Sequence, residues 1–129
     1  MWDDWRSAAI TGNYTDIASL LAQGTEINQL DRYGQTALML AARHGRAEVV
    51  RLLLEYKAEM DVTAKYGLSA LMLAVVYRHL DVARQLVDAG ADTQLRGSGA
   101  PGFAGKTARE LVEQSGLFEL ADYLARTRI

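Results

Sequence analysis

The sequence predicts an all-α solenoid built from pairs of helices, and three observations lead to that expectation. A residue pattern recurs every 33 positions, and self-similarity at a fixed period of this size is the signature of stacked repeats. Each copy holds two stretches in which apolar residues follow helical spacing. The 129-residue chain is half hydrophobic and 23% charged, a composition ordinary for one globular domain.

Two central copies of the repeat align without a gap. One reads DRYGQTALMLAARHGRAEVVRLLLEYKAEMDVT, and the next reads AKYGLSALMLAVVYRHLDVARQLVDAGADTQLR. A fourth copy aligns only after five extra residues in a glycine-rich stretch that begins at Gly97. The copies are expected at about 1–30, 31–63, 64–96 and 97–129. We expect them to form a single domain over 1–129, with the terminal copies acting as caps.

The first helix of each copy is predicted to begin after a capping residue at one repeat position. That position holds Asp3, Thr36, Ser69 and Thr107. Their side-chain oxygens can accept hydrogen bonds from the free amides of the first helical turn. The stretches ALMLAA at 37–42 and ALMLAV at 70–75 follow, and their small apolar residues allow close packing between copies.

The second helix of each copy is predicted to be half-buried. AEVVRLLLEY at 47–56 places apolar residues on one face and charged residues on the other. Glycines stand where a left-handed residue would end each helix. These glycines are Gly12, Gly45 and Gly116 after the first helix, and Gly24 and Gly90 after the second. Arg78 and Lys57 occupy the same positions in other copies, so a left-handed backbone is expected at Arg78.

The period, the threonine-led helix, the AAxxG break and the ending LVDAGAD at 86–92 resemble ankyrin repeats. The family's T-P-L-H opening is altered, because alanine replaces its proline and Met39 and Met72 replace its histidine. The resemblance implies that a short β-hairpin finger precedes the first helix of copies two and three, at 31–34 and 64–67. Copy one is expected to begin directly in its helix, and copy four to have an enlarged finger. It also implies a concave groove formed by the fingers, the inner helices and the turns after them.

Mapping the groove of this family onto the sequence gives the candidate site. Copy two contributes Arg32, Tyr33, Gln35, Met39, Arg43 and His44, and copy three contributes Lys65, Tyr66, Leu68, Met72, Val76, Tyr77 and Arg78. The groove-side charges of these two copies are positive except for Asp31, and copy four breaks the trend with Glu110 and Glu113. The outer helices carry the acidic residues Glu48, Glu55, Asp81 and Asp88. We therefore expect a basic, aromatic groove and an acidic back.

The resemblance implies a non-catalytic protein-interaction module whose groove binds a partner protein with an acidic surface. Nucleic acid or another anionic polymer on the same basic stripe is one alternative, disfavoured by the net charge of −2. A regulatory subunit of an enzyme, with the catalytic parts elsewhere, is another. Such scaffolds bind many unrelated ligands, so the fold does not name the partner.

Composition excludes several kinds of chemistry, and we expect no catalytic residue, cofactor or metal site. Cysteine is absent and only two histidines, His44 and His79, occur. Both histidines are expected as exposed residues at the rim of the groove. Residues 97–102 match GxGxxG, but no buried strand precedes them. Residues 99–107 resemble a phosphate-binding loop with one residue too many between its glycines, and their lysine and threonine stand where Gln35 and Thr36 begin the helix of copy two.

The chain is expected to be a soluble, cytoplasmic monomer. No apolar run approaches the ~20 residues that span a bilayer, and the opening MWDDW lacks the basic start of a signal peptide. Trp2, Trp5 and Tyr14 fall at the N-terminal end of the predicted solenoid. They are interpreted as an aromatic lid over the first copy or, alternatively, as a self-association surface.

Overall fold

The computed structural model describes residues 2–64 and 68–92, which contain six α-helices and no β-strand. The helices are α1 (Trp2–Thr11), α2 (Tyr14–Ala22), α3 (Ala37–Arg43), α4 (Ala47–Glu55), α5 (Ala70–Val76) and α6 (Leu80–Asp88). They form three helix pairs, one for each of the first three predicted copies. The predicted fourth copy, with Thr107, Gly116 and the glycine-rich stretch, lies outside the described residues.

The helices lie in two layers, as a solenoid of paired helices requires. In the inner layer α3 packs between α1 and α5, and in the outer layer α4 packs between α2 and α6. Each inner helix also packs against the outer helix of its own pair. The core between the layers repeats with the sequence period, since Leu38 and Leu71 are buried at equivalent positions, as are Leu53 and Leu86. An all-α solenoid is thereby confirmed for the described part.

Hydroxyl side chains begin the inner helices where the sequence predicts. Thr36 Oγ1 accepts a hydrogen bond from the Met39 amide at 3.2 Å, and Ser69 Oγ accepts one from the Met72 amide at 3.3 Å. Asp3 was expected to cap the first helix, and that prediction is wrong. Because α1 already begins at Trp2, Asp3 lies inside the helix.

The inner helices end in one geometry whether or not a glycine is present. Gly45 has φ +70° and the Arg46 amide donates to the Ala41 carbonyl at 2.8 Å. One period later, Arg78 has φ +66° and the His79 amide donates to the Ala74 carbonyl at 2.7 Å. The left-handed backbone predicted at Arg78 is confirmed, and Arg78 adopts it despite its Cβ.

The finger of copy two is a tight turn, and no strand flanks it in the described residues. Asp31 Oδ1 accepts hydrogen bonds from the amides of Tyr33 and Gln35, each at 2.9 Å. The Asp31 amide donates to the Gln35 carbonyl at 2.9 Å, which closes the loop after five residues. That span is too short for a hairpin ladder, so the expected β-hairpin is replaced by a turn. The same closing bond recurs one period later, from the Ala64 amide to the Leu68 carbonyl at 3.0 Å.

Of the residues expected to form an aromatic lid, Trp5 lies in the core instead, and the side chain of Trp2 lies outside what the structure describes. Trp5 is only 3% exposed and belongs to the core, while Tyr14 is half-buried. A groove of about 290 Å³ lies between α1 and α2, and polar side chains dominate its lining, among them Asp4, Thr11 and Asp16. None of the described helices is long and apolar enough to cross a membrane.

Candidate functional site

Two exposed tyrosines on the inner-helix side each lie beneath arginine side chains. Tyr33, in the finger of copy two, is 59% exposed. Its ring centroid lies 5.7 Å from the Arg6 guanidinium carbon and 5.8 Å from that of Arg32. Tyr77, at the end of α5, is 45% exposed and lies 5.1 Å beneath Arg43 of α3. These distances fall within the range of cation–π attraction.

Arg6 is a member of this surface that sequence reasoning missed. Its Nε donates to Asp31 Oδ2 at 2.9 Å, and the Asp31 side chain is only 4% exposed. The pair therefore fixes the finger of copy two against the inner helix of copy one. A signal was present in the repeat register, because Arg6 falls on Met39 and Asp31 falls on Ala64. At the junction of copies one and two, the charged residues Arg6 and Asp31 thus occupy the repeat positions that the apolar residues Met39 and Ala64 occupy in copies two and three.

The turns behind these tyrosines are linked from copy to copy by a recurring hydrogen bond. Arg46 Nε donates to the Ile10 carbonyl at 2.8 Å. One period later, His79 Nε2 lies 2.9 Å from the Arg43 carbonyl, so that ring nitrogen carries the donated hydrogen. His79 is half-buried, which corrects the expectation of an exposed rim residue. It reaches back to the preceding copy instead of facing solvent.

His44 is exposed at the rim, as expected, and it lies in a positive electrostatic environment. Partial burial and neighbouring positive charges lower the pKa of His44 below its ordinary value of 6.5. In order of effect, those charges belong to Arg43, Arg46, His79 and Arg6. The inner helices of copies one and two and the turns of copies two and three thus contribute to one basic region.

Three predicted groove residues are buried, and the prediction that they line an open groove is wrong. Met39 and Met72 are each 1% exposed and Leu68 is 7% exposed. The short inner helices pack against both neighbouring inner helices and their own outer helix, so almost every α3 and α5 side chain is covered. Methionine therefore fills core space where the family pattern has histidine.

The other predicted site residues differ in accessibility. Arg32, Tyr33, His44, Tyr77 and Arg78 are exposed, whereas Gln35, Arg43 and Val76 are half-buried. Lys65 and Tyr66 lie outside the described residues. The exposed residues of the predicted site are therefore aromatic or basic, and its apolar residues are buried or half-buried. We define the concave surface as Arg6, Arg32, Tyr33, Arg43, His44 and Tyr77.

The outer surface is mixed in charge, so the expected acidic back is only partly acidic. Arg51 and Arg84 are exposed on the same helices as the predicted acidic residues. Arg51 lies 3.4 Å from Glu55 and also 5.9 Å from the ring centroid of Tyr14. Exposed pairs of this type contribute ~0.5 kcal/mol at most to stability.

The described residues contain no group of three or more His, Asp or Glu side chains that could hold a metal ion. In the same residues, His79 bonds to the Arg43 carbonyl and His44 lies exposed at the rim. The arrangement of the concave surface is thus suited to binding: it offers aromatic area, positive charge and guanidinium donors.

Comparison with known proteins identifies the class. The ankyrin-repeat family model, with three copies, matches residues 6–96, and the chain belongs to the ankyrin repeat family. Ankyrin repeats generally mediate protein–protein interaction and are generally non-catalytic. One relative is the probable E3 ubiquitin-protein ligase XBOS33 of Oryza sativa subsp. japonica, which is 44% identical over 50 residues. That match covers 39% of this chain and 10% of the relative, so the chain corresponds to a small part of that protein.

Proposed function

We propose that the chain is a non-catalytic binding module that holds a partner protein on its concave surface. The observation that carries this proposal is the pair of exposed tyrosines, Tyr33 and Tyr77, each lying beneath arginine on the side where ankyrin proteins bind. Tyrosine and arginine are the residues enriched at interface hot spots. A ring already held by a neighbouring guanidinium loses little further freedom on binding, which favours affinity.

The partner is proposed to present an acidic surface. The lowered pKa of His44 supports this, because after burial its causes are positive charges, with Arg43 the largest and Arg6 the smallest of them. An acidic partner would gain from that potential in its rate of encounter as well as in its affinity.

The test is a binding titration with a partner captured by the purified chain and identified by mass spectrometry. Tyr33→Ala is expected to cost ~2 kcal/mol of affinity, the scale of a hot-spot residue. Arg32→Glu is expected to act mainly by slowing association. Glu55→Ala, on the outer surface, is the control and is expected to leave binding unchanged. Loss of affinity in Glu55→Ala with wild-type affinity in Tyr33→Ala would place the site on the outer helices and refute the proposal.

Nucleic acid or another anionic polymer is the second candidate, and the clustering of Arg43, Arg46 and His79 around His44 is the observation that favours it. Salt dependence separates the two candidates. Neutralising phosphates gives a log–log slope of affinity against salt that is proportional to the number of phosphates contacted. A shallow slope with a protein partner and no measurable binding to duplex DNA are the results expected here.

A role as the regulatory or targeting part of an enzyme is compatible with the same surface. The similarity to a segment of a probable ubiquitin ligase fits such a role, in which catalysis would lie outside the ankyrin repeats. We further propose that the chain acts as a cytoplasmic monomer. Sedimentation of the purified chain and fractionation of the source cell test these two points.

A further inference from the structure

The two exposed tyrosines of the concave surface differ in the arginines that lie above them. Tyr33 lies beneath Arg6 and Arg32, and Tyr77 lies beneath Arg43. Above Tyr33, Arg6 donates its Nε to the buried carboxylate of Asp31. Above Tyr77, Arg43 has no carboxylate within ion-pair distance among the described residues. Arg6 is therefore paired from within the protein. Arg32, the other arginine above Tyr33, is exposed and, like Arg43, has no carboxylate within ion-pair distance among the described residues. Arg43 differs from Arg32 in being half-buried.

Arg43 is held in place at both its backbone and its side chain. Its carbonyl lies 2.9 Å from His79 Nε2 of the next copy, and its guanidinium lies 5.1 Å from the Tyr77 ring centroid. Both contacts come from copy three, so the junction between copies two and three fixes this one cation. Preorganisation of this kind reduces the conformational entropy that binding would otherwise cost.

The environment of Arg43 would attract an anion. His44 is the next residue along the chain, and its pKa is lowered first by burial and then by the positive charges of Arg43 and Arg46. A guanidinium presents a planar fork of donors that matches a carboxylate in a bidentate geometry. A half-buried position also weakens the screening that makes fully exposed ion pairs nearly neutral in energy.

We propose that Arg43 and Tyr77 form an anchor that binds a carboxylate side chain from an acidic segment of the partner protein. The ring of Tyr77 positions the guanidinium, and Arg43 supplies the hydrogen bonds and the charge. This inference rests on the proposed function, because it names the chemical group that the concave surface recognises. It also distinguishes the two tyrosine sites, since Arg43 above Tyr77 is half-buried whereas Arg32 above Tyr33 is exposed.

The test uses the full chain and an oligoglutamate peptide as probe, with oligolysine as the negative control. Binding is followed by NMR, through chemical-shift changes and through the pKa of His44, assigned with a His44→Gln variant. A carboxylate bound at Arg43 offsets positive charge near His44, so oligoglutamate is expected to raise the pKa of His44. Oligolysine is expected to leave it unchanged.

The decisive variant is Arg43→Lys, which keeps the charge and removes the planar fork. It is expected to weaken oligoglutamate binding about tenfold, the scale of a charge-assisted hydrogen bond, and to reduce the pKa rise at His44. Tyr77→Phe keeps the ring and is expected to bind like the wild type, while Tyr77→Ala is expected to bind more weakly. Arg51→Lys, in the arginine–tyrosine pair of the outer helices, is the matched control and is expected to change nothing. Circular dichroism melting establishes that each variant is folded.

Three results would overturn the anchor. The first is the absence of saturable oligoglutamate binding to the wild type, and the second is equal affinity in Arg43→Lys and wild type. In the second case, a loss of partner binding in Tyr33→Ala would leave the proposed function standing without the anchor. The third is tighter, Arg43-dependent binding of duplex DNA than of oligoglutamate, which would make nucleic acid the occupant.

Discussion

Gly45 is the position where the contact between copies makes the sharpest stability prediction. It has φ +70°, and a Cβ at this residue would lie 2.6 Å from His79 Nδ1 and 2.8 Å from His79 Cε1. The ring of His79 therefore occupies the space that any side chain at position 45 would need. Because His79 also holds the Arg43 carbonyl, the ring cannot move away without losing that hydrogen bond.

Gly45→Ala is expected to lower the free energy of unfolding by about 3 kcal/mol. About 1 kcal/mol comes from a left-handed backbone with a Cβ. About 1 kcal/mol comes from the lost hydrogen bond of His79, and about 1 kcal/mol from the strained rotamer that the ring must adopt. Urea unfolding followed by circular dichroism measures the sum, with the slope compared between variants to check that the same surface unfolds.

Two controls separate the cost of the left-handed backbone from the cost of displacing the His79 ring. Gly34 has φ +75° but nothing within 4 Å of its built Cβ, so Gly34→Ala is expected to cost only the backbone term of about 1 kcal/mol. In a His79→Ala background, Gly45→Ala is expected to cost about the same smaller amount, because the ring and its hydrogen bond are already gone. Equal costs for Gly45→Ala with and without His79 would refute the reasoning.

The remaining predictions concern three other positions. Thr36→Ala is expected to lower stability by about 1 kcal/mol by removing the cap of α3, while Thr36→Ser restores it; a thermal melt in which Thr36→Ser behaves like alanine would contradict this. Arg78→Gly is expected to raise the urea midpoint, by up to about 1 kcal/mol in stability, because φ +66° favours glycine; a lower midpoint would mean that the contacts of Arg78 outweigh the strain. The pKa of His44 is lowered in the folded state, so the unfolded chain binds the proton more readily and stability falls as pH drops from above 6.5 through the folded pKa. His44→Gln is expected to remove that part of the acid destabilisation in urea titrations at paired pH values, and an unchanged pH dependence would count against it.

Most of the fold could be predicted because it depends on local signals that repeat. Thr36 and Ser69 cap their helices by accepting hydrogen bonds from backbone amides three residues further along the chain. Each cap therefore depends only on a short stretch of sequence. The left-handed residues follow from the same register, which is why even Arg78 could be assigned a positive φ. Asp3 was assigned wrongly because the first copy has no finger before it, and α1 extends past the position where later copies begin their helix.

The candidate site was harder to predict, because exposure depends on three neighbours at once. Met39 and Met72 stand at positions that a family pattern assigns to the groove, yet both are buried by the helices around them. Arg6 was overlooked because its partner, Asp31, is 25 residues away in another copy. A contact between copies depends on the residues at two different repeat positions, whereas a periodic pattern is recognised at one repeat position at a time.

The residue that precedes each outer helix illustrates this dependence on neighbours. Asn13, Arg46 and His79 occupy one repeat position, and Asn13 caps its own helix by accepting the Asp16 amide. Arg46 and His79 make no such cap and instead donate to a carbonyl of the preceding copy. In the later copies the lost cap is offset by a bond that joins one helix pair to the next, and at His79 that bond also fixes the backbone of Arg43. His79 therefore links two helix pairs and also positions Arg43, the cation proposed for binding.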